Sequence, residues 1–368
     1  MRENSATLRA VQNDSYPRIK STLRTLMRSD GKLYVGNARE GFLLEPIPYL
    51  TILRSCNGVL SRADIAQRLF EPLPRIDHAL EYLSSLGIIE NLSQPDQRGQ
   101  SQQHHLNSME RTRIESSLIT HHSEDGGEEE WQARADLAIS IFGDTRVARN
   151  LLALLSTSGF TECTIALAPH AEQLLQPRDI NGLSVTTEHL AKNKALHHRD
   201  LIRQTRLGES SSAHQGITNL VITTAPPPAE QIQEWQSQGI DQLAISEVIA
   251  QEIEISPIIH PGMVPCLHCI ALHRRDALPS DLTTLALAEK HHELPAPSAA
   301  LIAAITTSIV ANFQGSVHRS LPHQDRRDRL NYSLVINLLD PTLPIQRRSW
   351  NFHPECGCVD VRRRALPR

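Results

Sequence analysis

Four of the six cysteines fall into two tight pairs, Cys266-Leu267-His268-Cys269 and Cys356-Gly357-Cys358. Each pair offers two sulfurs from one short stretch. Two such stretches, far apart in sequence, can close a tetrahedral zinc site. Four thiolates would satisfy Zn2+ and leave no position for a catalytic water, so the expected role is structural. Such a site would clamp the C-terminal segment onto the body of the protein. The alternative is redox use of Cys266 and Cys269. His268 and His353 flank the pairs but are not required as ligands, and His260, His273 and Arg274 read as polar residues on the rim. Cys56 and Cys163 stand alone in apolar surroundings and read as small buried hydrophobes.

A second stretch has the position of a phosphate-binding loop, residues 139–148, Ile-Ser-Ile-Phe-Gly-Asp-Thr-Arg-Val-Ala. A nucleotide loop between the first strand and helix of a Rossmann-type sheet uses glycines for the turn, for close approach to phosphate and for helix packing. Only Gly143 matches. Thr145 intrudes at the second position, Ala148 is tolerable at the third, and Asp144 puts negative charge where phosphate would lie. ATP is therefore not an expected cofactor. No Gly-x-Ser-x-Gly elbow is present, and no nucleophile–base pairing emerges, so no catalytic residue is assigned.

These groups need elements to position them. Extended stretches are expected at 23–28, 32–35 and 41–45, with Asp30-Gly31 as a hairpin turn. Residues 46–55 follow, apolar at Ile47, Leu50, Ile52 and Leu53. Ser61 caps a short helix, with Asp64 as a weak capping box. A helix over 74–86 has the inner face Ile76, Ala79, Leu80, Leu83 and Leu86, and Gly87 stops it. Three strands and then three helices predict a small winged-helix domain over 16–91. Residues 92–134 are polar, with the acidic run 124–130, and read as a flexible linker. From 135 to 368, strands at 137–142, 163–167, 220–224 and 242–246 alternate with helices at 146–158 and 229–238. That order predicts an α/β domain with a parallel sheet. A long helix over 297–313 and a late strand over 333–338 complete it.

Composition excludes several classes. The chain has 368 residues, enough for two or three domains. Its net charge of −4 and 4% aromatic content give neither a basic field nor stacking platforms for nucleic acid. No apolar stretch approaches the roughly 20 residues needed to cross a bilayer, and the N-terminus lacks an apolar signal core. No membrane partner and a cytoplasmic location are expected, where thiols stay reduced.

The stretch from Ile259-His260-Pro261-Gly262 through Cys266-Leu267-His268-Cys269 to Arg275-Asp276, with Trp350 and His353-Pro354-Glu355-Cys356-Gly357-Cys358, resembles the ocin-ThiF-like proteins. These are leader-peptide-binding partners in thiazole/oxazole-modified microcin pathways. The N-terminal segment, from Pro17-Arg18 to Gly87-Ile88-Ile89, resembles the PqqD-like RiPP recognition element fused to them. The resemblance implies a ThiF/ubiquitin-activating-enzyme-like sheet that has lost adenylation chemistry. It implies zinc ligands at Cys266, Cys269, Cys356 and Cys358. It also implies partners: the leader of a ribosomally made precursor peptide, and a separate YcaO cyclodehydratase that forms azoline rings. A homodimer would be usual for the fold.

In a winged helix, an edge strand has unpaired N–H and C=O groups to which an extended peptide can add. The expected edge is 41–45, with Phe42, Leu43 and Leu44. The expected groove wall is the helix face of Arg75, His78 and Tyr82, at helical spacing. The alternative function is an ATP-dependent ThiF-like adenylyltransferase acting on a peptide or sulfur-carrier C-terminus. A winged-helix transcription factor is disfavoured, because Asp77 and Glu81 interrupt any basic stripe on that helix.

Overall fold

The computed structural model describes residues 15–20, 23–37, 41–92, 133–166, 173–205, 218–246, 251–277, 293–318, 331–340 and 342–358. The chain divides into two compact units, Met1–Trp131 and Gln132–Arg368.

In the first unit, β1 (Tyr16–Ile19) precedes an antiparallel sheet of β2 (Arg24–Met27), β3 (Leu33–Gly36) and β4 (Gly41–Leu44), in that order. Gly31 adopts φ +81° in the turn between β2 and β3, a conformation that favours glycine. Three helices follow: α1 (Pro46–Ser55), α2 (Arg62–Leu69) and α3 (Leu73–Ser85). Ser61 and Asp64 form the expected reciprocal cap on α2. Ile76, Ala79, Leu80 and Leu83 of α3 pack with Leu33, Val35 and Leu44 in one core, beside Ile52, Leu53 and Cys56. Burial pushes the Cys56 thiol up to about 12, in keeping with an inert small hydrophobe.

The linker expected over 92–134 is shorter at both ends. β5 (Ile89–Leu92) pairs antiparallel with β1, from Tyr16↔Leu92 to Ile19↔Ile89. Leu92 is therefore a buried strand residue and not the first residue of a linker. Of the stretch read as linker, residues 93–132, with the acidic run 124–130, lie outside the described residues, and residues 133–136 are helical. Ile47, one of the apolar positions of residues 46–55, is 85% exposed. The following proline disfavours helical geometry, and Ile47 sits at φ −107°, ψ 125°.

The second unit begins with β6 (Ile139–Phe142) and α4 (Arg146–Thr157), then β7 (Cys163–Ala166) and α5 (Lys194–Thr205). β8 (Leu220–Thr223), α6 (Ala229–Ser237) and β9 (Asp241–Ala244) follow. These strands form a parallel sheet in the order β7-β6-β8-β9. The chain moves from β6 to one neighbour, then crosses to the other. The carboxyl end of β6 is thus the switch point of the sheet, where α/β folds place their ligands.

β10 (Glu252–Ile255) begins a second, antiparallel sheet with β11 (Tyr332–Asn337) and β12 (Ile345–Ser349). Single bridges, Ile245↔Ile255 and Gln242↔Ile259, join it to the region of β9. Between β10 and β11 lie α7 (Leu267–Ala277) and α8 (Ala296–His318). α8 packs most extensively against α4, with Ala299, Ile302, Ala303 and Val310 in the core. Its segment Ala296–Phe313, with mean hydropathy 1.5, has length and composition that would also suit a bilayer. The sequence reading overlooked that property. A helix covered by core on one face needs the same residues.

Candidate functional sites

The two cysteine pairs meet. Cys266 precedes α7, Cys269 lies in its first turn, and Cys356 and Cys358 come from the segment after β12. Their sulfurs all lie within 4.8 Å of one another. Cys266–Cys356 is 3.5 Å, Cys269–Cys358 3.3 Å and Cys266–Cys269 3.8 Å. Tetrahedral zinc with Zn–S near 2.3 Å sets its sulfurs about 3.8 Å apart, so the cluster can hold such an ion.

The surroundings stiffen this meeting. Trp350 packs on the cluster with Ile259, Val264 and Ile270, and its Nε1–H donates to Ser333 Oγ at 2.6 Å. The His353 backbone N–H donates to Cys269 Sγ at 3.4 Å. His353 accepts at Nδ1 from the Glu355 N–H, which leaves Nε2–H to donate to Asp276 Oδ2 at 2.8 Å. Arg275 pairs with Glu355 at 2.8 Å. His353 is buried and supports the site rather than ligating it, while His268 is exposed.

Four thiols this close cannot all ionise unaided. Burial raises Cys356 to about 11 and also raises Cys358. At Cys269 burial acts in the same direction, but the His353 N–H and the neighbouring thiols outweigh it and the pKa falls. The surroundings ease ionisation of one thiol and oppose it at two others; only a cation would favour four thiolates.

In the first unit, β4 pairs on one side only, with β3, among the described residues. Register puts Phe42 opposite Val35 and Leu44 opposite Leu33, facing the core, and Leu43 opposite Tyr34, facing away. Leu44 is buried, so any contact it makes with a peptide would be through its backbone. Phe42 and Leu43 are 37% and 51% exposed. A side chain at position 41 would meet the outer edge of the Tyr34 ring at 2.6 Å or less, so that ring would have to move. Arg75, His78 and Tyr82 all lie on the exposed side of α3. Arg75 is engaged with Glu71 at 3.0 Å, and the Tyr82 ring lies 5.6 Å from that of Tyr49.

At the carboxyl end of β6, Gly143 takes φ +112°, and a Cβ there would meet Thr224 Oγ1 at 2.6 Å. Thr145 caps α4 by accepting from the Ala148 N–H at 3.1 Å, and its hydroxyl donates to Thr224 Oγ1 at 3.0 Å. Asp144 meets two cations invisible to motif reading, Arg149 and Lys194, whose side chains have no exposed surface. Asp179 shares both partners. Glu293 accepts from the Arg146 N–H at 3.1 Å. Burial raises the Glu293 pKa, against the pull of that N–H and of Arg149 and Arg146. No spacing rule could have found Asp179, Lys194 or Glu293, since only the fold brings them to this loop.

No protein-family model and no curated protein sequence matches the chain. Solved structures do. E. coli MccB with AMPCPP and MccA has TM-score 0.59 at 12% identity, over 93% of this chain and 99% of that one. The microcin C7 biosynthetic enzyme MccB in complex with N-formylated MccA has TM-score 0.58 at 12% identity, with the same coverage. The heterocyclase TruD has TM-score 0.60 at 14% identity, over 96% of this chain and 44% of that one. At these identities the likeness establishes a shared fold and no shared chemistry.

Proposed function

We propose that this chain binds the leader of a ribosomally made precursor peptide and presents it to a separate YcaO cyclodehydratase. On this reading the first unit is a winged-helix recognition element, and the sheet unit is a scaffold rather than an adenylating enzyme. The single observation that carries the proposal is the open side of β4, with Phe42 half-exposed on its inward face. An edge strand can take up an extended peptide through main-chain hydrogen bonds, while side-chain pockets select it. The fold shared with MccB, solved with MccA, and with the heterocyclase TruD supports the same reading. The proposal includes zinc as a structural ion at Cys266, Cys269, Cys356 and Cys358, a cytoplasmic location, and a homodimer as the working state.

Adenylation is the competing reading, since MccB has also been solved with ATP. The carboxylates around the β6 loop speak against it here, because each stands where negative phosphate would have to approach.

The test uses the full chain and a candidate leader, taken from any short peptide gene rich in Cys, Ser and Thr that lies beside its own. Fluorescence polarisation with the labelled leader should give micromolar or tighter binding. Phe42→Asp should weaken it by about tenfold, as expected when a charge enters an apolar contact, while leaving the melting temperature nearly unchanged. Absence of binding by the wild-type chain, together with pyrophosphate exchange from ATP, would reverse the assignment.

A further inference from the structure

The loop after β6 assembles three kinds of anion-binding donor: the first turn of a helix, a guanidinium and an ammonium. Each is taken by a group of the chain itself. The Arg146 N–H at the start of α4 donates to Glu293. Arg149 Nη2 donates to Asp144 and, at 2.9 Å, to Asp179. Lys194 Nζ lies 2.5 Å from Asp144 and 3.5 Å from Asp179.

The pairing is incomplete in one direction. Arg149 Nε and Nη1 find no acceptor among the described residues, and the amide of Asn150, next in sequence, is unpaired at both Nδ2 and Oδ1. A buried guanidinium with spare N–H groups is costly, and apolar side chains of similar volume would stabilise such a site at least as well. Two N–H groups of Arg149 are left over after both carboxylates, an arrangement that suits a group with more oxygens than a carboxylate. A phosphoryl group presents three, and it is commonly held by a helix N-terminus together with Arg and Lys.

We propose that Asp144, Asp179 and Glu293 are resident anions in a masked polyphosphate site, and that their charge is what keeps polyphosphates out. The site lies at the switch point of the parallel sheet, where the fold places ligands. The inference concerns the sheet unit alone and requires no peptide, so its outcome is separate from that of the peptide-binding proposal.

The experiment compares the full wild-type chain with Asp144→Asn, which removes one resident charge at nearly constant volume. Each is titrated calorimetrically with inorganic pyrophosphate and, separately, with ATP. Each is also melted with pyrophosphate or with sodium chloride of equal ionic strength. The expected result is a gain of at least about tenfold in affinity for one or both ligands in the variant, since one charge repelling them is gone. The variant's melting temperature should rise with pyrophosphate and not with the matched salt. A purely structural ion pair would give the lower melting temperature without that rescue.

A folded Asp144→Asn chain with no gain for either ligand overturns the proposal, as does wild-type binding equal to the variant's. Should Asp144→Asn fail to fold, Glu293→Ala carries the decision. It frees the Arg146 N–H while leaving Arg149 and Lys194 paired, and the same gain or its absence decides.

Discussion

The cysteine cluster and the β6 loop are both buried polar centres in the second unit, and they reach neutrality by opposite routes. The cluster brings together four groups of one kind, and no cation among the described residues pairs with their sulfurs. The loop pairs Arg149 and Lys194 with Asp144 and Asp179, and so carries its own counter-charges. The comparison teaches that burial alone does not identify a ligand site. What matters is whether the chain already supplies the opposite charge. The cluster calls for a cation, whereas the loop admits an anion only when one of its own is withdrawn.

The largest expected effect breaks the first half of that contrast. Cys356→Ser should lose the metal and loosen the segment after β12, because structural zinc contributes on the order of 10 kcal/mol in small domains. Metal content by mass spectrometry and near-UV circular dichroism measure this, with leader binding by the first unit preserved. Retention of stoichiometric zinc at full stability would show that the four sulfurs do not act together. Acid should mimic the substitution, since thiols must lose their protons to bind metal.

The second half is tested by Asp179→Ala, which leaves two buried cations sharing Asp144. Breaking a buried pair from one side costs about 3–5 kcal/mol, to be read from the urea midpoint at pH 7. A loss below about 1 kcal/mol would mean that water already reaches these groups.

The smallest effect concerns the border of the same loop. Burial, and then the charge of Arg149, lower His198 from 6.5 to about 4. The unfolded chain therefore takes up this proton first as pH falls. The histidine's effect is absent above pH 6.5, grows as pH drops toward 4, and reaches at most about 3 kcal/mol of lost stability. His198→Gln should flatten that part of the stability profile. An unchanged slope would mean that His198 is protonated without penalty in the folded state.

Local signals were the legible ones. Cys266/Cys269 and Cys356/Cys358 declare a chelating geometry through their spacing, because two sulfurs on one short stretch face one point whatever the rest of the chain does. Gly143, Thr145 and Ala148 stand where a phosphate loop of such a sheet would carry its glycines. The apolar face of Ile76, Ala79, Leu80 and Leu83 marks α3 by period alone. The β1–β5 ladder was not legible, since strands of four residues carry little periodicity and Tyr16 meets Leu92 only through the fold. Nor was β12, whose Ile-Gln-Arg-Arg-Ser is exposed throughout and has no buried face to impose alternation.

Asp144 illustrates the division most directly. Its type and position, one residue beyond the loop glycine, indicate by themselves that phosphate is unwelcome there. Whether that carboxylate would point to solvent or into the protein depended on Lys194, 50 residues away, and on Arg149, two buried cations that Asp179 shares. Sequence determines which groups are available and, through spacing, which neighbours share a face. Charge compensation acts through space over a few ångströms in a poorly polarisable interior, so only the tertiary structure could decide which charges are paired.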